Sequence, residues 1–271
     1  MKNINWSELG FGYFKTDYNV RCEYKDGKWG ELYATEDVNM NIHMASTCLH
    51  YGQEVFEGLK AFRGADGKVR LFRVEENAKR MINSGEYLKM AVPSVELFTK
   101  ACIEAVKLNA DYIPPYGSGA SLYLRPMLIG VGPQVGVKPS ADYLFAVFVT
   151  PVGPYYKDGF NCIKVIIDYD HDRAAPKGTG HVKVGGNYAA SLDSGEIAHQ
   201  KGFASVIFLD PATKQYIDEC SAANFFGIRD GKYITPDSHS VLPSITNKSL
   251  RQIAEDLGLK VEQRKVGVEE L

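Results

Sequence analysis

The sequence predicts a mixed α/β chain of the α+β type, built as two domains. Three observations predict it. Short apolar or β-prone runs are joined through turn pairs such as Asp66-Gly67 and Asp230-Gly231. The stretches Asn77–Lys89 and Val95–Leu108 carry apolar residues at helical spacing. Between the halves, Pro151–Gly159 breaks both periodicities and is dense in turn formers, as a linker is. We therefore expect an N-terminal domain over 1–154, a linker over 155–161 and a C-terminal domain over 162–271.

Taken in order, Val55–Arg63 and Val69–Arg73 read as strands joined by the Asp66-Gly67 hairpin, and Asn77–Lys89 and Val95–Leu108 as helices. Pro114-Pro115 and the glycines at 117 and 119 mark a loop. Strands follow over Ser121–Ile129 and Asp142–Thr150. Beyond the linker, Cys162–Asp168 reads as a buried strand and Tyr169–Lys183 as a loop. A helix is expected from about Asn187 to Lys201, closed by Gly202. Ser205–Leu209 is a strand, Gln215–Ile217 and Asn224–Ile228 flank an irregular stretch, and Asp230-Gly231 turns the chain into Lys232–Thr235. A last helix spans about Thr246 to Leu257, ends at Gly258 and is followed by the strand Lys260–Lys265. The order favours hairpins over strict strand–helix alternation.

The composition narrows the function classes. Of the 271 residues, 45% are hydrophobic and 24% charged, so the chain can bury a core. A net charge of −2 gives no reason to expect nucleic acid or an anionic membrane as partner. No apolar run approaches the length of a membrane span, and the N-terminus has no signal-peptide pattern. The five cysteines are widely spaced without C-x-x-C, which fits a reducing cytoplasm better than a disulfide framework or a zinc site. The sequon Asn247-Lys248-Ser249 is read as a chance match.

Lys183 is the first residue to consider for chemistry. Valines flank it, Gly185-Gly186 follow, and a lysine acts as a nucleophile when burial lowers its pKa. The valines point to a poorly hydrated strand end, and the glycines would let a flat ring approach the backbone. A solvated surface lysine is the competing reading. Lys177 is weaker, because its Pro/Gly-rich loop should be wet. Glu219, beside Asp218 between two strand segments, is placed to serve a pyridine nitrogen or simply to sit in an exposed turn. Ser244-Ile245-Thr246 opens the last helix, where free N–H groups favour an anion, although most such residues are only caps. Arg73 would supply a bidentate phosphate contact, or pair with Glu75 or Glu76. Asp170-His171-Asp172 is read as a solvated loop rather than a metal site, and His43 and His50 as structural. Complete P-loop, dinucleotide and G-x-S-x-G patterns are absent from the sequence.

Six segments taken together resemble the branched-chain aminotransferases among fold-type IV pyridoxal phosphate (PLP) enzymes. They are His50–Gly64, Leu71–Met81, Leu122–Gly132, Val149–Tyr156, Val182–Ser191 and Ile217–Phe226, in the family's order. The resemblance implies a smaller N-terminal α/β domain, a C-terminal domain with a β-barrel-like sheet, and PLP between them. It implies that Lys183 carries the cofactor as a Schiff base, that Glu219 pairs with the ring nitrogen and that Tyr188 bonds the phenolic oxygen. Arg73, Ile245 and Thr246 should hold the phosphate. Phe56, Tyr123 and Tyr155 should line the substrate pocket, Arg125 should receive acidic substrates, and Tyr51 should come from the neighbouring subunit of a homodimer. The implied reaction moves an amino group reversibly from L-leucine, L-isoleucine or L-valine to 2-oxoglutarate. Tyr123 and Arg125, two apart on a strand, share a face, as recognition of both apolar and acidic side chains requires.

The sequence departs from the family pattern at Pro243-Ser244-Ile245-Thr246-Asn247, where Pro-Gly-Ile/Val-Thr-Arg is usual, and at Ser221–Asn224, where glycine is more usual. A Ser-Gly-Thr-Ala-type turn that the family places beyond the last strand is not in this sequence, which reads as a C-terminal domain incomplete at its end. Two alternatives stand beside the main reading. One is a D-amino-acid aminotransferase or aminodeoxychorismate lyase, against which Phe56-Glu57-Gly58 and Tyr123–Pro126 argue. The other is an inactive, cofactor-free scaffold.

Overall fold

The computed structural model describes residues 2–155 and 161–271. The chain forms two compact units, Met1–Asn161 and Cys162–Leu271. Residues 156–160 of the expected linker lie outside the described residues.

In the first unit the elements are β1 (Asn19–Lys25), β2 (Lys28–Trp29), β3 (Tyr33–Thr35), α1 (Thr47–Tyr51), β4 (Glu54–Phe56), β5 (Leu59–Arg63) and β6 (Val69–Leu71). They are followed by α2 (Val74–Tyr87), α3 (Val95–Leu108), β7 (Ser121–Gly130) and β8 (Tyr143–Val152). One antiparallel sheet runs β2-β1-β8-β7-β5-β6, with β3 on β1 and β4 on β7. Strand alternation sorts its side chains. Leu122, Leu124 and Leu128 of β7 and Phe145, Val147 and Val149 of β8 are buried. Helix α3 packs on this side, its Phe98 ring stacked 5.8 Å from that of Phe145. Its Ser94 cap accepts from the Leu97 N–H, the local reason the helix starts there.

The expected single strand Val55–Arg63 is two strands. The break falls at Glu57-Gly58, opposite Pro126 of β7. The Glu57 N–H donates to the Pro126 carbonyl at 2.8 Å, but proline has no N–H to return. Glu57 is fully buried. Arg80 of α2 meets it with two donors, Nε at 2.8 Å and Nη2 at 2.7 Å, and Asn77 adds a third at 2.8 Å. Helix α2 also begins three residues earlier than expected, and β1 to β3 were not resolved from periodicity because they are short and partly exposed.

The second unit holds β9 (Val165–Asp168), α4 (Gly185–Ala189), α5 (Leu192–Gln200), β10 (Ser205–Leu209), β11 (Ile217–Cys220), β12 (Gly227–Arg229), β13 (Lys232–Pro236), α6 (Ile245–Asp256) and β14 (Lys260–Arg264). They form two sheets, β11-β10-β9 and β12-β13-β14. β9 pairs β10 in parallel and β13 pairs β14 in parallel. Each parallel pair is bridged by helix, so this unit contains the strand–helix–strand crossovers that the hairpin-dominated expectation left out. β10 is buried on both faces: Val206 and Phe208 pack with Ala198 of α5, while Ile207 and Leu209 pack with Ile217 and Val266.

Two local expectations are corrected. Cys162–Asp168 is a strand only over β9, an edge strand with no fully buried residue, because β10 covers it from one side alone. The expected helix Asn187–Lys201 is broken between α4 and α5, where the Ser191 hydroxyl donates to the Tyr188 carbonyl at 2.8 Å and competes with the helical ladder.

Glu57→Ala would remove the buried anion that Arg80 Nε and Nη2 and Asn77 Nδ2 all meet. It should destabilise the protein by about 3–5 kcal/mol in urea unfolding. A loss below about 1 kcal/mol would mean that Arg80 finds water or another acid at little cost.

Candidate active site

The loop between β9 and α4 is organised from within. Asn187 of α4, buried, donates through Nδ2 to the carbonyls of Thr179 at 2.7 Å and Val182 at 2.9 Å, and its Oδ1 accepts from the Thr179 hydroxyl at 2.7 Å. The loop is thereby folded back on the start of α4. Lys183 is consequently not at a strand end but on an extended turn just before the helix, half-buried between the buried Val182 and Val184. Its ammonium donates to the Tyr188 hydroxyl at 2.7 Å and lies 5.2 Å from the centre of that ring. Amine and phenol are thus brought together because the extended chain before the helix turns Lys183 back toward Tyr188 of α4. A Cβ on Gly186 would meet nothing within 4 Å, so space remains open beside the helix start.

Glu219 is on β11, and the turn reading is wrong for it: both Glu219 and Asp218 are 4% exposed. Three groups hold the Glu219 carboxylate. Oε1 accepts from the Leu242 N–H at 3.1 Å and pairs with Arg173 Nη2 at 2.6 Å. Oε2 accepts from Asn224 Nδ2 at 2.8 Å. A carboxylate offers about four acceptor positions, so among the described residues one position on Oε2 is left for a further donor. Burial pushes its pKa up to about 7, opposed first by the Arg173 charge and then by the Leu242 and Asn224 donors. Burial also raises Asp218.

Ser244 caps α6 by accepting from the Asn247 N–H at 3.1 Å, placing Ile245 and Thr246 in the first turn. Asn247 departs from the family pattern, and its role is structural. Its amide donates to Asn224 Oδ1 at 3.1 Å and Thr235 Oγ1 at 2.8 Å, and it accepts from the buried Tyr233 hydroxyl at 3.0 Å. The helix start is therefore connected to Glu219 through Asn224. An asparagine bonded in this way inside the protein is not a glycan acceptor.

In the first unit, Arg125 lies 4.8 Å from the Phe56 ring centre and 5.3 Å from that of Tyr123, and its Nε donates to the Tyr123 hydroxyl at 3.2 Å. Phe11 packs edge-on against both Tyr123 and Tyr155, at 5.2 and 5.4 Å. Phe56, Tyr123, Arg125 and Tyr155 are therefore one cluster, joined by Phe11, which sequence reading missed. Lys60, opposite Tyr123 in the ladder, was missed as well; its Nζ lies 6.0 Å from the Phe11 ring and burial lowers its pKa. Gly58 is required here, because a Cβ would fall 2.2 Å from the Tyr123 hydroxyl. Tyr51 is placed apart: its ring neighbours His50 and its hydroxyl donates to the Val135 carbonyl. Arg73 caps α2 in a left-handed conformation, φ 52°, with its guanidinium 5.6 Å from the Phe72 ring.

His43 accepts from the Ala45 N–H and His50 bonds the Met44 carbonyl. No group of three potential metal ligands occurs among the described residues. No helix among them is long and apolar enough to cross a membrane.

A primary amine beside a phenol, a buried carboxylate with a spare acceptor position and a helix start wired to that carboxylate form a donor set that fits a phosphorylated pyridine aldehyde. Comparison with known proteins gives this set its class. Residues 54–271 match the amino-transferase class IV family, and the chain belongs to it. Within that family, the branched-chain-amino-acid aminotransferases of Haemophilus influenzae and Helicobacter pylori are each 52% identical to it, over the whole of this chain and 81% of theirs. The branched-chain amino acid aminotransferase of Escherichia coli superposes with a TM-score of 0.77 at 28% identity, covering 95% of this chain and 80% of that one. A branched-chain amino acid aminotransferase from T.th., complexed with N-(5'-phosphopyridoxyl)-L-glutamate, does so with a TM-score of 0.75 at 27% identity, covering 96% and 80%.

Glu219 also gives the cofactor-free protein a pH signature. Below its ordinary value of 4.5 the carboxyl is protonated folded or unfolded; between 4.5 and about 7 the unfolded chain releases a proton that the folded chain keeps. Its contribution to stability therefore falls as pH rises through that window. Relative to Glu219→Gln, the wild type should lose on the order of 2 kcal/mol of unfolding free energy between about pH 4.5 and 8. Parallel pH profiles for the two proteins would remove the buried acid from this account.

Proposed function

We propose that this protein is a PLP-dependent branched-chain-amino-acid aminotransferase. It moves an amino group reversibly between L-leucine, L-isoleucine or L-valine and 2-oxoglutarate. The single observation that carries the reading is the Lys183–Tyr188 pair, held by the loop that Asn187 folds. Class IV membership and the full-length likeness to enzymes of this name support it.

When bound, PLP supplies the electron sink that accepts the pair left at the substrate Cα. The chain's own residues do the rest. Lys183 offers the amine that anchors the cofactor and takes the Cα proton, and Tyr188 orients that amine. Glu219 keeps the ring nitrogen protonated. Arg73, Ile245 and Thr246 receive the phosphate. The Phe56, Tyr123 and Tyr155 rings offer apolar surface worth ~25 cal/mol per Å² buried. Arg125 offers charge-assisted donors to a glutamate side chain. We further propose a cytoplasmic homodimer in which Tyr51 serves the neighbouring subunit's pocket, with residues 155–161 as the interdomain linker. The strong exposure of Met44, Leu49, Val135 and Val137 near Tyr51 supports self-association, and five free cysteines support a reducing compartment.

Lys183→Ala should abolish transamination of L-leucine while circular dichroism and oligomer size stay unchanged. Borohydride reduction of the wild-type holoenzyme should add the cofactor mass to the Lys183 peptide alone. Normal turnover in the variant would overturn the assignment. In a substrate panel, activity with D-alanine but not L-leucine would replace this reading with another class IV enzyme.

A further inference from the structure

We propose that Arg173 is the positioning residue that favours the anionic form of Glu219 while fixing it to the Lys183 loop and to the segment entering α6. This rests on the assignment of Glu219 to the ring nitrogen.

The geometry is that of a hub. Arg173 Nη2 lies 2.6 Å from Glu219 Oε1 and 2.8 Å from the Gly180 carbonyl, and it also donates to the Ser240 carbonyl. One nitrogen therefore meets three segments: β11, the loop carrying Lys183, and the loop leading into α6. Only 9% of the Arg173 side chain and 5% of the Glu219 side chain reach solvent. Gly180 makes the convergence possible, since a Cβ there would fall 2.3 Å from the Ser240 oxygen and 2.5 Å from its Cα.

Charge decides the role. The groups around Glu219 are Arg173 from the loop, Asp218 and Cys220 from its own strand, and the neutral donors of Leu242 and Asn224. Burial and Asp218 both favour the protonated acid, and Arg173 is the sole cation among these groups opposing them. Without it, Glu219 would bind a proton across the neutral range. A neutral acid cannot hold a ring nitrogen in its cationic form. Arginine suits the task because its charge is permanent, so Nη2 stays cationic across the pH range in which Glu219 titrates.

The test uses cofactor-free protein labelled with ¹³Cδ-glutamate, the Glu219 signal being the one that vanishes in Glu219→Gln. Arg173→Gln should move the Glu219 midpoint up by about one pH unit or more, and Arg173→Lys by less than about half a unit. An unchanged midpoint in Arg173→Gln overturns the proposal, as does a Lys variant shifted as far as the Gln variant. If Arg173→Gln does not fold, Arg173→Lys decides alone: a rise above about one unit overturns the proposal, a smaller one supports it. In the holoenzyme, the acidic limb of kcat against pH should rise with the midpoint, costing about tenfold in kcat per unit on that limb while KM for the 2-oxo acid is unchanged. A shifted midpoint with an unmoved kcat profile would support the control exerted by Arg173 and reject the ring-nitrogen reading of Glu219.

Discussion

A charge removed from water has to be met by the protein that buries it, and the Glu219 carboxylate is where the second unit is built around that demand. Its three donors come from three different segments. Each imposes a further requirement: Arg173 needs Gly180 to let two loops approach, Asn224 needs Asn247 to fix its amide, and Asn247 needs Tyr233 and Thr235. The start of α6 and the Lys183 loop are thereby set by the same carboxylate. In such a network the members fix one another; lose one and the next loses a partner in a low dielectric.

The first unit meets the same demand differently. Glu57 takes two donors from one guanidinium and a third from Asn77, so that its charge is matched by a bidentate partner. Glu219 receives one close contact from its arginine and two neutral donors, which leaves its pKa near 7 and one acceptor position open. Glu219 has charge and capacity to spare for a ligand, which is the balance that functional carboxylates show.

These differences also explain what could be read beforehand. Lys183, Tyr188 and Glu219 were singled out by the resemblance of whole segments; their local surroundings alone left Lys183 open to a surface reading and Glu219 to an exposed turn. The long strands β7 and β8 were legible as apolar, β-prone runs, β7 partly alternating and β8 buried on both faces, and α3 because its cap and its apolar face agree. Arg173 was not legible. Two of its three acceptors are backbone carbonyls, which every residue has, and the third is far along the chain. Glu57 was hidden inside an apolar run, since its burial depends on Arg80 lying above it. The break between α4 and α5 depends on one hydroxyl turning back on the backbone, which helical periodicity does not register. Asn247 read as a departure from the family pattern, yet its partners lie on two other segments. Local patterns predict elements; tertiary partners decide which polar residues are buried.

The Arg125 cluster carries the argument on to substrate choice. A guanidinium lying over two rings keeps its edge available while its face is in apolar contact. When an aliphatic side chain occupies the proposed pocket, Arg125 can stay on the Phe56 and Tyr123 rings, worth about 0.5–2 kcal/mol, and no bare charge faces the apolar group. Were the proposed pocket to receive a glutamate side chain, the same edge would donate charge-assisted hydrogen bonds, roughly twice as strong as neutral ones, with the Tyr123 hydroxyl beside it. Dual recognition of that kind would need no large rearrangement, only a cation already solvated by aromatic faces. Gly58 is part of this device, because a side chain there would displace the Tyr123 hydroxyl that orients Arg125.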